Sequence, residues 1–418
     1  KNNEIKLTGE ILISDCEKDD ADKILNAFKN PEVSQGTGKI DINASFIEST
    51  FTYSFIIFSS NKTKLSTGET VSVKSVKANY EIWVPEKIAF TLLSKYNKVK
   101  APDLLGKLDF DLYTVELDMG SFGDNSTFNL KYSTANLGSG SNVKFDIYDC
   151  KLYTDVLKKA IIKSKYSTIT SKSINLLVAE SYTDNYTIDN INGIDLDAKY
   201  TTLNSKGNAN LGKFTLYDCN IFVENFTKIE LESKYSEFTA NNVREFSIKE
   251  TYTDTYKFSS VDIISCEDSK YSKFVIGKVG DLAFKASYND TFEFDEVNSY
   301  SCLDSKYNTV KIGILKTSIN LPESYDSNFN IDKVGISFIS FKGNFKYGSV
   351  RITADPALNY RLICNNTYGE INYPKERFKN KPLIYIEKEG KTQFESTTDP
   401  NAKCEFNFTS YDMNFTIE

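Results

Sequence analysis

Fourteen tyrosines return at intervals of 16 to 19 residues, with a mean near 17.6: Tyr96, Tyr113, Tyr132, Tyr148, Tyr166, Tyr182, Tyr200, Tyr217, Tyr235, Tyr252, Tyr271, Tyr288, Tyr307 and Tyr325. In a chain with 26 tyrosines such an order does not arise by chance. Repetition at this period marks a stack of small supersecondary units that bury their apolar faces against one another, and it sets aside the usual estimate of domain number from length.

The unit itself is a strand. Ile229, Leu231, Ser233, Tyr235 and Leu282, Phe284, Ala286, Tyr288 alternate with polar residues. A period of two places each set on one face, with the tyrosine ring expected on the buried side. In the units of Tyr113, Tyr148 and Tyr217 the parity shifts by one, so that Leu112, Ile147 and Leu216 take the inward place and the tyrosine turns outward. A turn and a second short strand follow each tyrosine, and no unit contains a helical pattern. With 29 Phe and only 8 Pro, the composition agrees with an all-β array.

Units alternate in kind. Lys95, Lys131, Lys165, Lys199, Lys234, Lys270 and Lys306 precede a tyrosine, whereas Asp149, Asp184, Asp218, Asp254, Asp290 and Asp326 follow one. If one coil holds two units, the lysines stack on one another; if it holds one, Lys and Asp rungs interleave. Like charges directly opposite destabilise a sheet, so charge favours one unit per coil. Fourteen such coils make a rod on the order of 65 Å long.

The flanks differ from the repeats. Residues 1–89 read as strands around one helix, with Asp19-Asp20 as N-cap candidates, Ala21, Ile24, Leu25 and Phe28 as the apolar face and Pro31 as the stop. Further strands are expected over Lys39–Phe46, Phe51–Phe58 and Val71–Val84, and the segment suits a cap on the first rung of repeats spanning 90–345. Residues 346–418 read as C-terminal rungs, marked by Phe341 just before them and by Tyr360, closed by a cap of strands and longer loops.

Several chemistries fall away. Histidine is absent, which removes Ser-His-Asp and Cys-His catalysis and every His-containing metal site. The seven cysteines lie far apart, with Cys150 and Cys219 at one repeat position and Cys266 and Cys302 at another, as expected of small buried residues in stacked rungs. A formal charge of −7 without a basic stripe argues against nucleic acid as a partner. No apolar run approaches the ~20 residues of a membrane-spanning helix. The chain begins with Lys1, which suits a removed export leader.

Units of the form Ser-Lys-Tyr-x-x-apolar, at Tyr96, Tyr166, Tyr235, Tyr271 and Tyr307, together with Tyr80-Glu81-Ile82-Trp83-Val84-Pro85, the early Ala21-Asp22-Lys23-Ile24-Leu25 and the closing Thr367-Tyr368-Gly369-Glu370-Ile371, carry a likeness over the whole length. The chain resembles the beta-strand-repeat, adhesin-like proteins of Bacteroidetes that are grouped as a domain of unknown function. The resemblance implies an exported, single-stranded, right-handed parallel β-helix at the cell surface, on the outer membrane or in the periplasm. It brings no catalytic residues and no cofactor. Where that family often has Gly after the rung tyrosine, this chain has Ser, Thr, Asn or Asp.

Two functions follow as expectations. One is a non-catalytic surface β-solenoid that binds a protein or glycan partner, with Asp184, Asp254, Asp290 and Asp326 as outward-facing candidates. The other is a polysaccharide lyase or hydrolase on the same fold. Inverting hydrolysis needs two carboxylates about 6.5–9.5 Å apart, and aspartates two rungs apart on one face meet that distance. A calcium ladder would need clustered oxygen ligands on glycine-rich turns, which are missing; a solvated charge ladder is the simpler reading of the aspartates. The second aromatics Tyr186, Tyr256, Phe292 and Phe329 are expected as a row of core rings rather than a sugar-binding strip. The four arginines, Arg244, Arg351, Arg361 and Arg377, do not accompany the aspartates, and sequons such as Asn225-Phe226-Thr227 and Asn407-Phe408-Thr409 are expected from composition alone.

Overall fold

The computed structural model describes residues 5–37, 39–55, 58–378 and 383–418. Its contacts divide the chain into two compact units, Lys1–Glu86 and Lys87–Glu418.

In the first unit an antiparallel sheet has the order β1 (Lys6–Cys16), β6 (Thr70–Trp83), β5 (Phe58–Leu65), β4 (Ile47–Phe55), and a hairpin joins β2 (Glu32–Gly36) to β3 (Lys39–Asn43). Positions 56 and 57 of the expected strand Phe51–Phe58 lie outside the described residues. The helix α1 (Lys18–Lys29) buries Ile24, Ala27 and Phe28 against Leu65, Val71 and Val73. Phe28 stacks on Tyr80 at 5.1 Å, and it can do so because β1 carries Gly9 there: a Cβ would stand 2.7 Å from the ring. The expected aspartate cap is corrected. Glu17 holds the N-cap position without a side-chain bond, and Asp19 and Asp20 lie in the first turn, where negative charge favours the helix dipole. Asp20 instead accepts the backbone N–H of Ser72 at 2.8 Å.

The second unit is a parallel β-solenoid of about 15 turns of ~18 residues. Its first coils are split into short strands, such as Phe90–Lys95 and Lys98–Ala101. From Lys151 to Lys306 each coil is one bent strand of 15 or 16 residues, paired in parallel with the next. In a representative coil the buried residues are Ser167, Ile169, Ser171, Ile174, Leu177, Ala179, Ser181 and Asp184. They step by two along straight runs and by three at Ser171–Ile174, Ile174–Leu177 and Ser181–Asp184, so the chain turns three corners per coil. One unit per coil is what the alternating charges favoured. The ionic partners are different, however: Lys234 meets Glu250 at 3.0 Å, Lys270 meets Asp268 at 2.6 Å and Lys306 meets Asp304 at 2.8 Å, while the aspartate series takes no part in these pairs. All are exposed and worth a few tenths of a kcal/mol each.

Aromatic rings fill the interior, and Tyr186, Tyr256, Phe292 and Phe329 are all buried, as a core row should be. The cysteines at 150, 219, 266 and 302 are likewise buried and free.

Beyond Val334 the rungs cease to follow chain order. The strand Ser340–Ala354 pairs in parallel with the last segments of the chain, Cys404–Tyr411 and Asn414–Ile417, and those pair in turn with Tyr360–Thr367 and Ile371–Asn372. The C-terminus is thus inserted between two rungs that precede it in sequence. Lys391–Thr397 then closes Tyr360–Thr367 in antiparallel fashion, with Ile384–Lys388 outside it. Phe341 and Tyr360 are fully buried in these rungs. Among the described residues no helix is long and apolar enough to cross a membrane.

Candidate functional site: the tyrosine edge and its corner

One corner of every coil is made by a residue in the left-handed conformation. From Tyr96 to Tyr307 the positive-φ residues Tyr96, Thr114, Tyr132, Asp149, Tyr166, Thr183, Tyr200, Asp218, Tyr235, Thr253, Tyr271, Asn289 and Tyr307 recur every 17 or 18 residues with φ of 51–60°. Their N–H groups continue the ladder, as from Tyr132 to the Tyr148 carbonyl at 2.9 Å. The regular period therefore belongs to this backbone position. The tyrosine occupies it in alternate rungs only; in the others the tyrosine stands one residue earlier, in the column where Lys131, Tyr148, Lys165, Tyr182 and Lys199 lie side by side.

This corrects the expected inward tyrosines. A strand's alternation assumes extended backbone, and one residue at positive φ reverses the side to which the chain presents its next group. Tyr96, Tyr132, Tyr166, Tyr200, Tyr235, Tyr271 and Tyr307 are 41–72 % exposed. In the units of Tyr252 and Tyr288 an extra residue intervenes as well, so that Thr251 and Ser287 point inward in place of Glu250 and Ala286. The outward turn expected of Tyr113, Tyr148 and Tyr217 is found, and it extends to the whole series. The absence of glycine at this position leaves the corner intact.

The rings form one ladder. Seventeen tyrosines, the fourteen of the series followed by Tyr347, Tyr411 and Tyr368, contact edge to face with centroids 5.3–5.8 Å apart and planes at 67–85°. Successive rings leave an αL residue and an extended one in turn, which holds neighbours at an angle. Each αL side chain costs about 1–3 kcal/mol of strain, and each ring makes two contacts of about 0.5–1.5 kcal/mol, so the ladder roughly offsets the corner it decorates. At ~4.8 Å per rung the edge runs on the order of 75 Å.

Immediately inside the corner lies a second column: Ser133, Cys150, Ser167, Asp184, Thr201, Cys219, Ser236, Asp254, Ser272, Asp290, Asn308 and Ser327, all buried. Each supplies an acceptor. The N–H of Cys150 bonds Ser167 Oγ at 3.1 Å, that of Ser167 bonds Asp184 Oδ1 at 2.7 Å, that of Ser236 bonds Asp254 Oδ1 at 2.6 Å and that of Asp290 bonds Asn308 Oδ1 at 2.8 Å. The sharp corner points one backbone N–H per rung inward, where no strand carbonyl can take it, and a side chain of the following rung does so. That requirement explains the residue types. Cys150, whose Sγ lies 3.4 Å from the N–H of Ser133, serves there as an acceptor as well as a small filler.

Asp184, Asp254 and Asp290 are therefore not an outward ladder. Each is 1 % exposed. Asp184 also takes Ser164 Oγ, Ser181 Oγ at 2.6 Å and the N–H of Tyr182 at 3.0 Å, and Asp254 takes Ser233 Oγ, Thr251 Oγ1 and the N–H of Tyr252. With their lone pairs engaged and their oxygens inside the coil, none of the three reaches a ligand on the surface or supplies one of the paired carboxylates of a hydrolase. Asp326, like Asp149 and Asp218, stands at the αL position itself and is exposed. The aspartates that looked like one series occupy two positions on opposite sides of the wall. Among the described residues no three Asp, Glu or Cys side chains gather as a metal site would require.

Burial raises the pKa of Asp254, and it raises that of Asp290 to about 6 against the opposing bonds from Ser287 and Ser272. Between the ordinary carboxylate range and about pH 6 the folded chain holds a proton at Asp290 that the unfolded chain has released, so stability falls as pH rises through that window. The loss is on the order of 3 kcal/mol at most. Asp290→Asn keeps an acceptor for Ser272, as Asn308 does one rung on. It is expected to be nearly neutral at about pH 4, more stable than wild type at about pH 7 and flatter in unfolding temperature between them. A variant that keeps the wild-type pH slope would show that Asp290 is not its source.

No family model, curated protein or solved structure matches this chain. Its own geometry is what bears on function. The exposed aromatic edge was hidden in the same tyrosines that were expected in the core, and the readable signal for it was the alternation of 16- and 18-residue intervals, which reports two backbone origins for one row of rings.

Proposed function

We propose that this chain is a non-catalytic, exported β-solenoid of the bacterial envelope, an adhesin or scaffold that binds a protein or glycan partner along its tyrosine edge. The observation that carries the reading is the unbroken row of seventeen half-exposed rings. Soluble proteins seldom expose contiguous apolar surface of such extent unless it is used. Tyrosine offers an apolar face and a hydroxyl at little entropic cost, which suits recognition of sugars and of extended peptide alike. Acidic neighbours pair with the lysines Lys234, Lys270 and Lys306, so the middle of the edge is close to neutral and selects by shape and stacking more than by charge. The resemblance to the Bacteroidetes adhesin-like proteins supports the same reading, and the hydrogen-bonded burial of Asp184, Asp254 and Asp290 weighs against the rival of a polysaccharide-cleaving enzyme built on them.

The test is a pair of substitutions on adjacent rungs, Tyr235→Ser with Tyr252→Ser, measured against immobilised envelope polysaccharides and surface proteins. Loss of two stacking rings at about 1 kcal/mol or more each lowers affinity at least tenfold. Blank glycan and protein panels for the intact chain, or binding that the double variant leaves unchanged, would remove the edge from consideration.

A further inference from the structure

On a different corner the coils present a polar groove of about 430 Å³. One side is a row of Asn208, Asn225 and Asn242; the other holds Asn210 and Arg244; Phe226 lies beneath. Asn225 Nδ2 donates to Asn208 Oδ1 at 2.6 Å, Asn242 Nδ2 to Asn225 Oδ1 at 2.8 Å, and Ser260 Oγ to Asn242 Oδ1 at 2.8 Å. On the far side Asn210 Nδ2 donates to Asn192 Oδ1 at 2.7 Å and Thr227 Oγ1 to Asn210 Oδ1 at 3.5 Å. The groove is where the ladder is interrupted. Between Ile188 and Gly193 on one coil and Ser205 and Leu211 on the next, the second coil holds one residue more and pairing lapses. Bulges of this kind cluster beside binding sites, where they re-aim side chains.

The donors and acceptors here exceed what the rows consume. A carboxamide has two N–H groups and two lone pairs, and each asparagine donates one N–H along its row, which leaves the second for a ligand. Arg244 is 67 % exposed at its side chain, with only a loose contact to Glu245 at 3.8 Å, so most of its five N–H donors are available. Asp262 adds an acceptor across from it. Mixed donors and acceptors, repeated every ~4.8 Å and carrying one charge of each sign, complement vicinal hydroxyl groups and oppose a ligand of net charge. The volume falls in the range of small-ligand sites.

We propose that this groove binds a short, linear, uncharged oligosaccharide lying along the solenoid axis, with Arg244 and the Asn208–Asn225–Asn242 row as its principal contacts. The site stands apart from the tyrosine edge and does not depend on it.

Calorimetric titration of the intact chain with maltohexaose, cellohexaose, chitohexaose and mannohexaose, and with hexagalacturonate as the charged comparison, tests the assignment. At least one neutral hexasaccharide is expected to bind. Arg244→Ala, an exposed change that leaves the asparagine rows in place, is expected to weaken it at least tenfold; Asn225→Ala does the same, with the unfolding temperature checked in parallel; and Tyr235→Ser has no effect. Failure of every neutral hexasaccharide, tighter binding of hexagalacturonate, or affinity indifferent to Arg244→Ala overturns the proposal. Binding abolished by Tyr235→Ser and untouched by Arg244→Ala also overturns it, and places the sugar on the tyrosine edge.

Discussion

Asp184→Ala is expected to destabilise the solenoid by about 3 kcal/mol. The carboxylate accepts the N–H groups of Ser167 at 2.7 Å and Tyr182 at 3.0 Å, together with the hydroxyls of Ser164 and Ser181, all inside the coil. Alanine leaves two buried N–H donors without partners at about 1–3 kcal/mol each, and removal of a desolvated carboxylate returns part of that. Asp184→Asn keeps one acceptor oxygen, as Asn308 does in the same column, and should cost about 1 kcal/mol. Urea unfolding of the three proteins side by side checks the order. The outward ladder expected from sequence alone predicts near-zero effects for both variants, so the measurement separates the two placements of the aspartate directly.

Ending the chain before Cys404 is expected to do far more. The strands Cys404–Tyr411 and Asn414–Ile417 form the layer between Ser340–Ala354 and Tyr360–Thr367, and they contribute Phe406, Phe408, Met413, Phe415 and Ile417, each buried to 3 % exposure or less. At about 2–3 kcal/mol per buried side chain their loss approaches 10 kcal/mol, comparable to the whole stability of an ordinary domain. Truncation also bares two parallel strand edges and the phenylalanines Phe341 and Phe345 behind them. Size-exclusion chromatography should then show large assemblies grown through those edges. A synthetic peptide of residues 404–418 added during refolding should restore the monomer, because the vacant layer is shaped for it. A truncated chain that stays monomeric and melts like the full one would show that the inserted strand is dispensable.

These two cases mark the limit of what residues in order can reveal. The coil length was legible, because a solenoid repeats its inward pattern once per turn and stacked charges disfavour the two-unit alternative. The core row was legible at Tyr186, Tyr256, Phe292 and Phe329, whose neighbours alternate in plain extended strand. The ladder tyrosines were not: Tyr235 follows Ser233 at a spacing of two, and only its φ of 59° turns it outward. Nor were the aspartates, since Asp149 and Asp184 differ by one place after their tyrosines and that single place separates solvent from interior. The asparagine groove left a faint trace in Asn190-Ile191-Asn192, Asn208-Ala209-Asn210 and Asn225-Phe226-Thr227, a pattern that composition alone also produces.

From its sequence the chain was bound to be a stack of β coils about 18 residues long. Periodicity records how often one backbone position recurs, and local strand preference at every repeat agrees with it. Which side of the wall each tyrosine and aspartate occupies was decided only in three dimensions, because one left-handed residue per coil reverses the parity that the spacing implies. The order of the last rungs was decided there as well. A strand is selected by the edges it fits, and the edges that Cys404–Ile417 fits belong to strands more than thirty residues apart from it in the chain. The tyrosine series thus sets the length of the solenoid, and the corner beneath it turns those same residues into its longest exposed surface.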